Sequence, residues 1–127
     1  MLNAPDLTKA APRSPQAPLG LFGALAARIV DKCRAEIAGT SGGYHYNCSL
    51  DQQFFRFTKI DPTALKAFVA TGASDPEIGA WLEEHSAVRD PSRIRRWSLL
   101  YKLNPFLRLL DLDDWFHTRR AGTKNSP

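Results

Sequence analysis

The most chemically capable stretch of the chain runs from Gly39 to Asp51 and reads G-T-S-G-G-Y-H-Y-N-C-S-L-D. A cysteine at the start of a helix is favoured as a thiolate, the nucleophilic form, because backbone N–H groups and the helix dipole point towards it. His45 lies three residues before Cys48 and is a candidate proton acceptor. The stretch therefore predicts a catalytic pair in which Cys48 is the nucleophile or redox thiol and His45 is the base.

The order of residues between Tyr44 and Cys48 sets a geometric condition on this pair. In an extended chain successive side chains face opposite sides, so Cys48 would share a side with Tyr44 and Tyr46, and His45 would face away. A turn at Asn47 is needed to bring His45 and Cys48 together. An alternative interpretation is that Cys48 is only a small buried residue at a tight helix start.

The remaining polar residues of the stretch predict a binding site for a small molecule. Tyr44 and Tyr46 would form its walls, although both could instead pack with their hydroxyl groups at the surface. Asn47 and the N–H groups of the following helix would stabilise developing negative charge. Asp51 suits the first turn of that helix, but its carboxylate opposes a thiolate at Cys48.

An anion site is a second interpretation of the same stretch. Gly42-Gly43 would allow a ligand to approach the backbone, and the helix starting near Ser49 would point N–H groups at the same place. Three cations on the preceding helix could supply the counter-charge: Arg28, Lys32 and Arg34. No G-K-[ST] sequence follows the glycines, so they do not form a P-loop, and a helix end followed by a turn also explains them.

A metal site is the third interpretation. Cys33, His45 and Cys48 could supply three ligands, with His85 or His117 as the fourth. The spacing C-x11-H-x2-C lacks the paired close ligands that zinc motifs carry at both ends. We therefore predict no metal ion and no cofactor.

Helical periodicity dominates the elements that must position this stretch. Apolar residues recur at intervals of three and four from Leu19 to Ala38, which predicts one long helix ending at Gly39. Ser49 and Gln52 have the spacing of a capping box at the start of the next helix. Further helices are predicted after Asp61-Pro62, after Ser74 with Glu77, after Asp90-Pro91, and over Phe106–Arg120. The sequence thus predicts an all-α domain of five or six short helices.

Composition and length agree with one soluble domain. The chain has 127 residues, of which 43% are hydrophobic and 24% charged, as in ordinary globular proteins. Residues 1–18 contain four prolines and predict an extended arm, packed on the body at Leu7 and Leu19; residues 19–120 form the domain and 121–127 a polar tail. Two cysteines, no signal peptide and no apolar run long enough to span a membrane indicate a reducing, cytoplasmic location.

The last third of the chain is basic and rich in leucine. Residues 89–127 carry nine bases and four acids, a balance of +5. Arg89, Arg93 and Arg96 share one helix face, but no nucleic-acid-binding motif accompanies them, so nucleic acid is not the favoured partner. The segment Leu99–Leu112 would instead dock a partner protein or form a homo-oligomer, or pack on the core as a last helix.

Several ordered motifs resemble one known family. They are Asp6-Leu7-Thr8, Pro12-Arg13-Ser14-Pro15, Asp31-Lys32-Cys33-Arg34-Ala35 and the run from Tyr44 to Gln52. Over about residues 6–97 the chain resembles small bacterial proteins known as domain of unknown function 5069. Ser49 stands where the family pattern has proline, and either residue suits the start of a helix. The resemblance implies no activity, substrate or catalytic residue.

Two functional hypotheses therefore stand. The first is a site that binds or transforms a small molecule at the Tyr-His-Tyr-Asn-Cys sequence, with Asp51 and Arg34 as further binding residues. The second is a non-catalytic interaction protein that acts through its basic, leucine-rich C-terminal part.

Overall fold

The computed structural model describes residues 4–102, and these form five helices joined by short loops. The helices are α1 Ala26–Ala38, α2 Ser49–Thr58, α3 Pro62–Val69, α4 Asp75–His85 and α5 Pro91–Lys102. Within residues 4–102 the only β-type pairing is an isolated bridge between Leu19 and Phe22. The predicted all-α class is confirmed, whereas the predicted helix Phe106–Arg120 lies outside the described residues.

Local sequence rules fix the starts of α3 and α4 as predicted. The Asp61 side chain accepts a hydrogen bond from the backbone N–H of Thr63 at 3.2 Å, with Pro62 in the first helical position. Ser74 and Glu77 form a reciprocal capping box, with N···O distances of 2.9 and 3.4 Å. These starts depend on neighbouring residues only, which is why the sequence predicts them well.

The predicted start of α1 at Leu19 is wrong, because the helix begins at Ala26. The preceding segment turns back on itself, and Leu19 and Phe22 exchange two backbone hydrogen bonds of 2.8 and 3.0 Å. Leu25 then has a positive φ of 67° and donates its N–H to the carbonyl of Pro15 in the arm at 2.8 Å. Contacts with distant parts of the chain therefore replace the helical hydrogen bonds expected here.

Helix α1 lies at the centre of the fold and is covered on nearly every side. Its apolar residues Ile29, Val30 and Cys33 are fully buried. Arg28, Asp31 and Lys32 are only 5%, 8% and 3% exposed, although charged residues usually lie at a helix surface. The N-terminal arm and the loop after α1 cover these charged residues.

The arm packs along the loop that follows α1. Leu7 and Leu19 are buried as predicted, and the Leu7 N–H donates to the carbonyl of Thr40 at 2.8 Å. Gly42 has φ +59°, and a Cβ placed on it would come within 2.9 Å of the Leu7 carbonyl oxygen. Close approach and a left-handed backbone both require glycine at this position.

Helix α5 buries Ile94 and Ser98 and leaves Leu100 exposed. Leu100 is six residues after Ile94, so at 3.6 residues per turn it points well away from the buried face. Its exposed fraction is 64%.

No helix within residues 4–102 combines the length and the apolar character needed to cross a membrane.

Candidate functional site

A cleft of about 420 Å³ lies between α1 and the segment that leads into α2. We call it the Cys48 cleft, and its volume falls at the lower end of the range of about 300–1,000 Å³ found for small-molecule sites. The described residues that line it are Arg28, Lys32, Gly43, Tyr44, His45, Cys48, Ser49, Leu50 and Gln53.

The chain turns at Asn47, the position at which the sequence argument required a turn. Asn47 has φ 61°, a left-handed conformation that asparagine tolerates better than most residues. Both His45 and Cys48 line the Cys48 cleft. The two predicted catalytic residues therefore share one cavity, with His45 exposed and Cys48 half-buried.

The start of α2 differs by one residue from the predicted capping pair of Ser49 and Gln52. Cys48 occupies the N-cap position, and Asp51 is the third residue of the helix. One carboxylate oxygen of Asp51 accepts backbone N–H groups from Asn47 at 3.0 Å and from Cys48 at 3.4 Å. Asp51 thus ties down the backbone on which Cys48 is carried.

A buried ion pair lies directly behind the thiol. Lys32 Nζ is 2.7 Å from Asp51 Oδ1, and the two side chains are 3% and 0% exposed. The same ammonium group donates a hydrogen bond to Cys48 Sγ at 3.4 Å. A cation at this distance stabilises a thiolate, and it compensates the Asp51 charge that was expected to oppose one.

The second cation of the cleft is Arg28. Its guanidinium carbon lies 5.5 Å from the centroid of the Tyr44 ring, within the range of a cation–π contact. Its Nη1 also donates to the backbone carbonyl of Arg13 at 3.5 Å. Among the described lining residues there are two cations and no carboxylate, because Asp51 lies beneath the cleft surface.

Tyr46 does not line the cleft, although the sequence suggested it as a wall. Its hydroxyl donates to the carbonyl of Pro62 at 2.7 Å, and its ring packs edge-on against Phe55. Burial raises the pKa of Tyr46, and the nearby Cys33 acts in the same direction. Tyr46 is therefore an anchor that holds the loop to the core.

Cys33 is a free cysteine with no exposed surface. Burial raises the pKa of its thiol to about 12, so it remains protonated at neutral pH. A neutral, inaccessible thiol is a poor nucleophile. Cys48 is thus the thiol suited to chemistry in the described part of the chain.

Arg34, predicted as a binding residue, lies in a different group of charges. Its Nη1 is 2.7 Å from Asp75 Oδ1 and its Nη2 donates to the carbonyl of Ala73 at 2.9 Å. Arg13 joins the same group, with Nη1 2.8 Å from Asp75 Oδ2 and Nη2 3.0 Å from Asp31 Oδ1. We call these residues, Arg13, Asp31, Arg34 and Asp75, the Arg13 network.

The network alters the ionisation of its members. Partial burial acts to raise the pKa of Asp75, but hydrogen bonds from Arg13 and Arg34 outweigh it and lower that pKa below 3.8. Loss of solvent acts against the charge of Arg13, yet its bonds to Asp31 and Asp75 raise the pKa of Arg13 overall. These charges are engaged with one another and not with the cleft.

The sequence indicates Lys32 as a counter-charge for a bound anion, but it does not indicate that Lys32 lies next to the Cys48 thiol. One signal was present: Arg28 and Lys32 are four residues apart and so share a helix side, whereas Arg34 lies about 200° around α1 from Lys32. Choosing between these sides requires knowing which one the loop covers.

The proposed metal ligands do not gather. Between residues 4 and 102, no group of three or more His, Cys, Asp or Glu side chains is placed to hold a metal ion. His85 stacks on Trp81 with ring centroids 4.0 Å apart, and its Nδ1 lies 2.9 Å from the Trp81 carbonyl. His117 is outside the described residues.

A second, larger groove of about 460 Å³ lies against α5. Its lining residues are Leu21, Gly23, Ser92, Arg95, Arg96, Ser98 and Leu99. None of these is a cysteine, a histidine or a carboxylate, so the described lining offers no thiol and no base that could activate its two serines. Chemistry therefore points to the Cys48 cleft.

Comparison with known proteins bears on the whole arrangement. No curated protein matches the chain. A family model described as Domain of unknown function (DUF5069) matches residues 9–114, which include the Cys48 cleft and all five described helices. The chain therefore belongs to the DUF5069 family.

Proposed function

We propose that this protein binds a small molecule in the Cys48 cleft and that Cys48 acts on it as a nucleophile or redox thiol. The observation that carries the proposal is the position of Lys32 Nζ, 3.4 Å from Cys48 Sγ in a cleft that His45 also lines. A thiol with a neighbouring cation, partial exposure and a nearby base has the features of reactive cysteines.

Each residue has a role in this proposal. Cys48 attacks an electrophilic carbon of the ligand, and a leaving group departs from that carbon with the electron pair of the broken bond. His45 accepts the thiol proton, and Lys32 stabilises the thiolate before it attacks. The first turn of α2 stabilises negative charge that develops on the ligand. Asn47 and Asp51 contribute through the backbone, since the turn and the carboxylate fix the position of Cys48.

Location forms part of the same proposal. A free Cys48 is needed for the chemistry, and reducing compartments keep exposed cysteines free. We therefore propose a cytoplasmic location.

Alkylation by iodoacetamide tests the proposed thiol chemistry. In the native protein at pH 7, Cys48 is expected to react severalfold faster than N-acetylcysteine, as followed by mass spectrometry. In the Cys48→Ser variant only Cys33 remains, and labelling should be very slow. A Cys48 rate equal to that of N-acetylcysteine, or no labelling of the native protein, contradicts the proposal.

Two histidine variants separate the role of His45 from general effects. His45→Gln should slow the alkylation of Cys48 at pH 7, because the proton acceptor is lost. His85→Gln is the matched control, since His85 is also exposed but stacks on Trp81 outside the cleft. Equal rates in the two variants would remove His45 from the mechanism.

Self-association through α5 is the second candidate function. Leu99 and Leu100 are 56% and 64% exposed, and Leu21 is 38% exposed at the edge of the groove beside α5. A two-fold contact would set these leucines against the same residues of a second copy. The rest of the predicted contact segment, up to Leu112, lies outside the described residues.

Analytical ultracentrifugation tests this candidate. The wild-type chain is expected to sediment as a dimer, and the double variant Leu99→Lys, Leu100→Lys as a folded monomer. A matched control is Arg56→Lys, an exposed change on α2 that should leave the mass unaltered. A wild-type chain that is monomeric at high concentration rules the candidate out.

A further inference from the structure

We infer that the ligand of the Cys48 cleft is a small organic anion whose carboxylate or phosphate group is held beside Cys48 by Lys32, Arg28 and the first turn of α2. The inference rests on the proposed function, because it names the class of ligand for the same site.

The arrangement of the buried ion pair gives the cleft its charge. Both carboxylate oxygens of Asp51 are engaged, one by Lys32 at 2.7 Å and the other by backbone N–H groups of Asn47 and Cys48. Asp51 is fully buried and does not line the cleft, whereas Lys32 does. A ligand in the cleft therefore meets the ammonium end of the pair.

Arg28 adds to the same field. Its side chain lines the cleft four residues before Lys32, one turn along the same side of α1. A guanidinium group binds carboxylates and phosphates through two parallel hydrogen bonds, and its contact with Tyr44 restricts its orientation. Arg28 therefore adds a second positive charge to this wall of the cleft.

The third contribution comes from α2, a helix of ten residues. The first N–H groups of a helix have no acceptor within the helix, and the helix dipole favours negative charge at that end. Ser49 and Leu50, the first two residues of α2, line the cleft beside Cys48. Two cations and a helix N-terminus therefore act together on one cavity of about 420 Å³.

Tyr44 and Leu50 give the cleft apolar walls next to these charges. An inorganic ion would leave such walls uncovered, whereas a small organic acid would cover them with its carbon atoms. The cleft thus suits a ligand with a charged group at one end and an apolar or reactive carbon at the other.

Two alkylating reagents of nearly equal size test this inference. Iodoacetate and iodoacetamide both lose iodide to thiolate attack: the new S–C bond forms as the C–I bond breaks, the iodide leaves with the electron pair, and the thiol proton passes to a base. Only iodoacetate carries a negative charge. The measured quantity is the ratio of the two rate constants, iodoacetate over iodoacetamide, for Cys48 and for N-acetylcysteine in the same buffer.

The ratio for Cys48 is expected to exceed that for N-acetylcysteine by about tenfold or more, because a cationic cleft raises the local concentration of anions. Raising the ionic strength should reduce the excess. Arg28→Met should lower the ratio, Arg28→Lys should largely retain it, and Arg96→Met, a change on exposed α5 surface, should leave it unaltered.

Anion binding is also measured without the thiol. In the Cys48→Ser variant, acetate and phosphate titrated separately should shift the backbone amide resonances of residues 43–50, and acetamide should not. The two titrations show which anionic group the cleft prefers. This arm does not depend on nucleophilic attack, so it stands even if Cys48 proves unreactive.

The outcomes separate the inference from the proposed function. Fast labelling by iodoacetamide with the rate ratio of a free thiol, and no amide shifts with either anion, overturns the inference and leaves the thiol chemistry intact. Amide shifts with acetate or phosphate, together with slow labelling of Cys48, support the inference and overturn the thiol chemistry.

Discussion

Two sides of α1 hold buried charges in different ways. In the Arg13 network two arginines meet two aspartates, and the Arg13 and Asp75 side chains are 34% and 37% exposed. On the other side Lys32 and Asp51 are almost fully removed from solvent, and the same ammonium group contacts a thiol. Both arrangements border a cavity. The cavity beside the Arg13 network is lined by Asp75 as well as Arg13, whereas the Cys48 cleft is lined by two cations and, among the described residues, by no carboxylate.

The two arrangements differ in how exposed their charges are and in what each can contribute to stability. The Arg13 network links the arm, α1 and the start of α4, which are distant in sequence, through hydrogen bonds that water can still reach. A fully buried ion pair gains little stability over a well-packed apolar pair, because both ions lose their hydration. Stability alone therefore does not account for a fully buried ion pair at this position.

The largest effect on stability is expected when one partner of the buried Lys32–Asp51 pair is removed. Lys32→Met leaves the Asp51 carboxylate buried without an ammonium group, and it should lower the free energy of unfolding by about 3–5 kcal/mol. Urea denaturation at pH 7 measures this loss. The double variant Lys32→Met, Asp51→Asn should recover most of it, since the amide oxygen can still accept backbone N–H groups. A single variant within about 1 kcal/mol of wild type would contradict a fully buried pair.

The next largest effect on stability should come from Gly42, in the loop that follows α1 and packs against the arm. Gly42→Ala combines a left-handed backbone with a Cβ only 2.9 Å from the Leu7 carbonyl oxygen, and it should cost about 2 kcal/mol or more. Gly39→Ala is the matched control, because Gly39 has φ +77° but no atom within 4 Å of its Cβ position. It should cost only about 1 kcal/mol. Equal losses would mean that the arm does not press on Gly42.

The Arg13 network should give a smaller and pH-dependent effect. Asp75→Asn should lower the free energy of unfolding by about 1 kcal/mol near pH 7, since this carboxylate is partly exposed. The native pKa of Asp75 lies below its ordinary value of 3.8, so its contribution is complete above that value and is lost as the pH falls through the native pKa.

Thermal unfolding of wild type and Asp75→Asn between pH 7 and pH 2 checks the sign. The two curves should converge at the acid end of the range. A constant gap across the range would show that the hydrogen-bonding shape of the side chain matters and its charge does not.

The smallest effect should come from an exposed pair of similar length. Lys66 Nζ and Glu36 Oε2 are 2.8 Å apart, but the side chains are 42% and 39% exposed. Lys66→Met should change the free energy of unfolding by less than about 0.5 kcal/mol. A loss as large as that in Lys32→Met would mean that distance, and not burial, controls the strength of these pairs.

The sequence predicted those parts of the fold that depend on adjacent residues. Asp61-Pro62 and the pair Ser74 and Glu77 start helices by contacts within three residues, and Gly39 ends α1 in the left-handed conformation. The start of α1 could not be predicted in the same way. Leu25 bonds to Pro15, and the N–H of Gly23 bonds to Ser98 at 3.0 Å, so distant contacts determine that segment.

The residues of the candidate site also fall into two groups: those indicated by the local sequence and those that depend on the whole fold. His45 and Cys48 were identified from residue type, and the turn at Asn47 was deduced as the condition for bringing them together. Nothing local connects Lys32 with Asp51, nineteen residues later, and the sequence gives Arg34 the same charge as Lys32. Which cation meets the thiol depends on how the loop crosses α1, and that crossing is a property of the whole fold.

The burial of Tyr46 offers a way to measure how often the loop that carries Cys48 opens. The Tyr46 hydroxyl donates to the Pro62 carbonyl and its ring packs against Phe55, so this side chain holds the loop that carries Cys48 to the core. Because Cys33 is buried and lies near Tyr46, movement of the ring out of the core is expected to make this thiol more accessible. The rate at which a thiol reagent modifies Cys33 in the Cys48→Ser variant should therefore report how often the loop opens, because Cys33 is the one cysteine left in that variant.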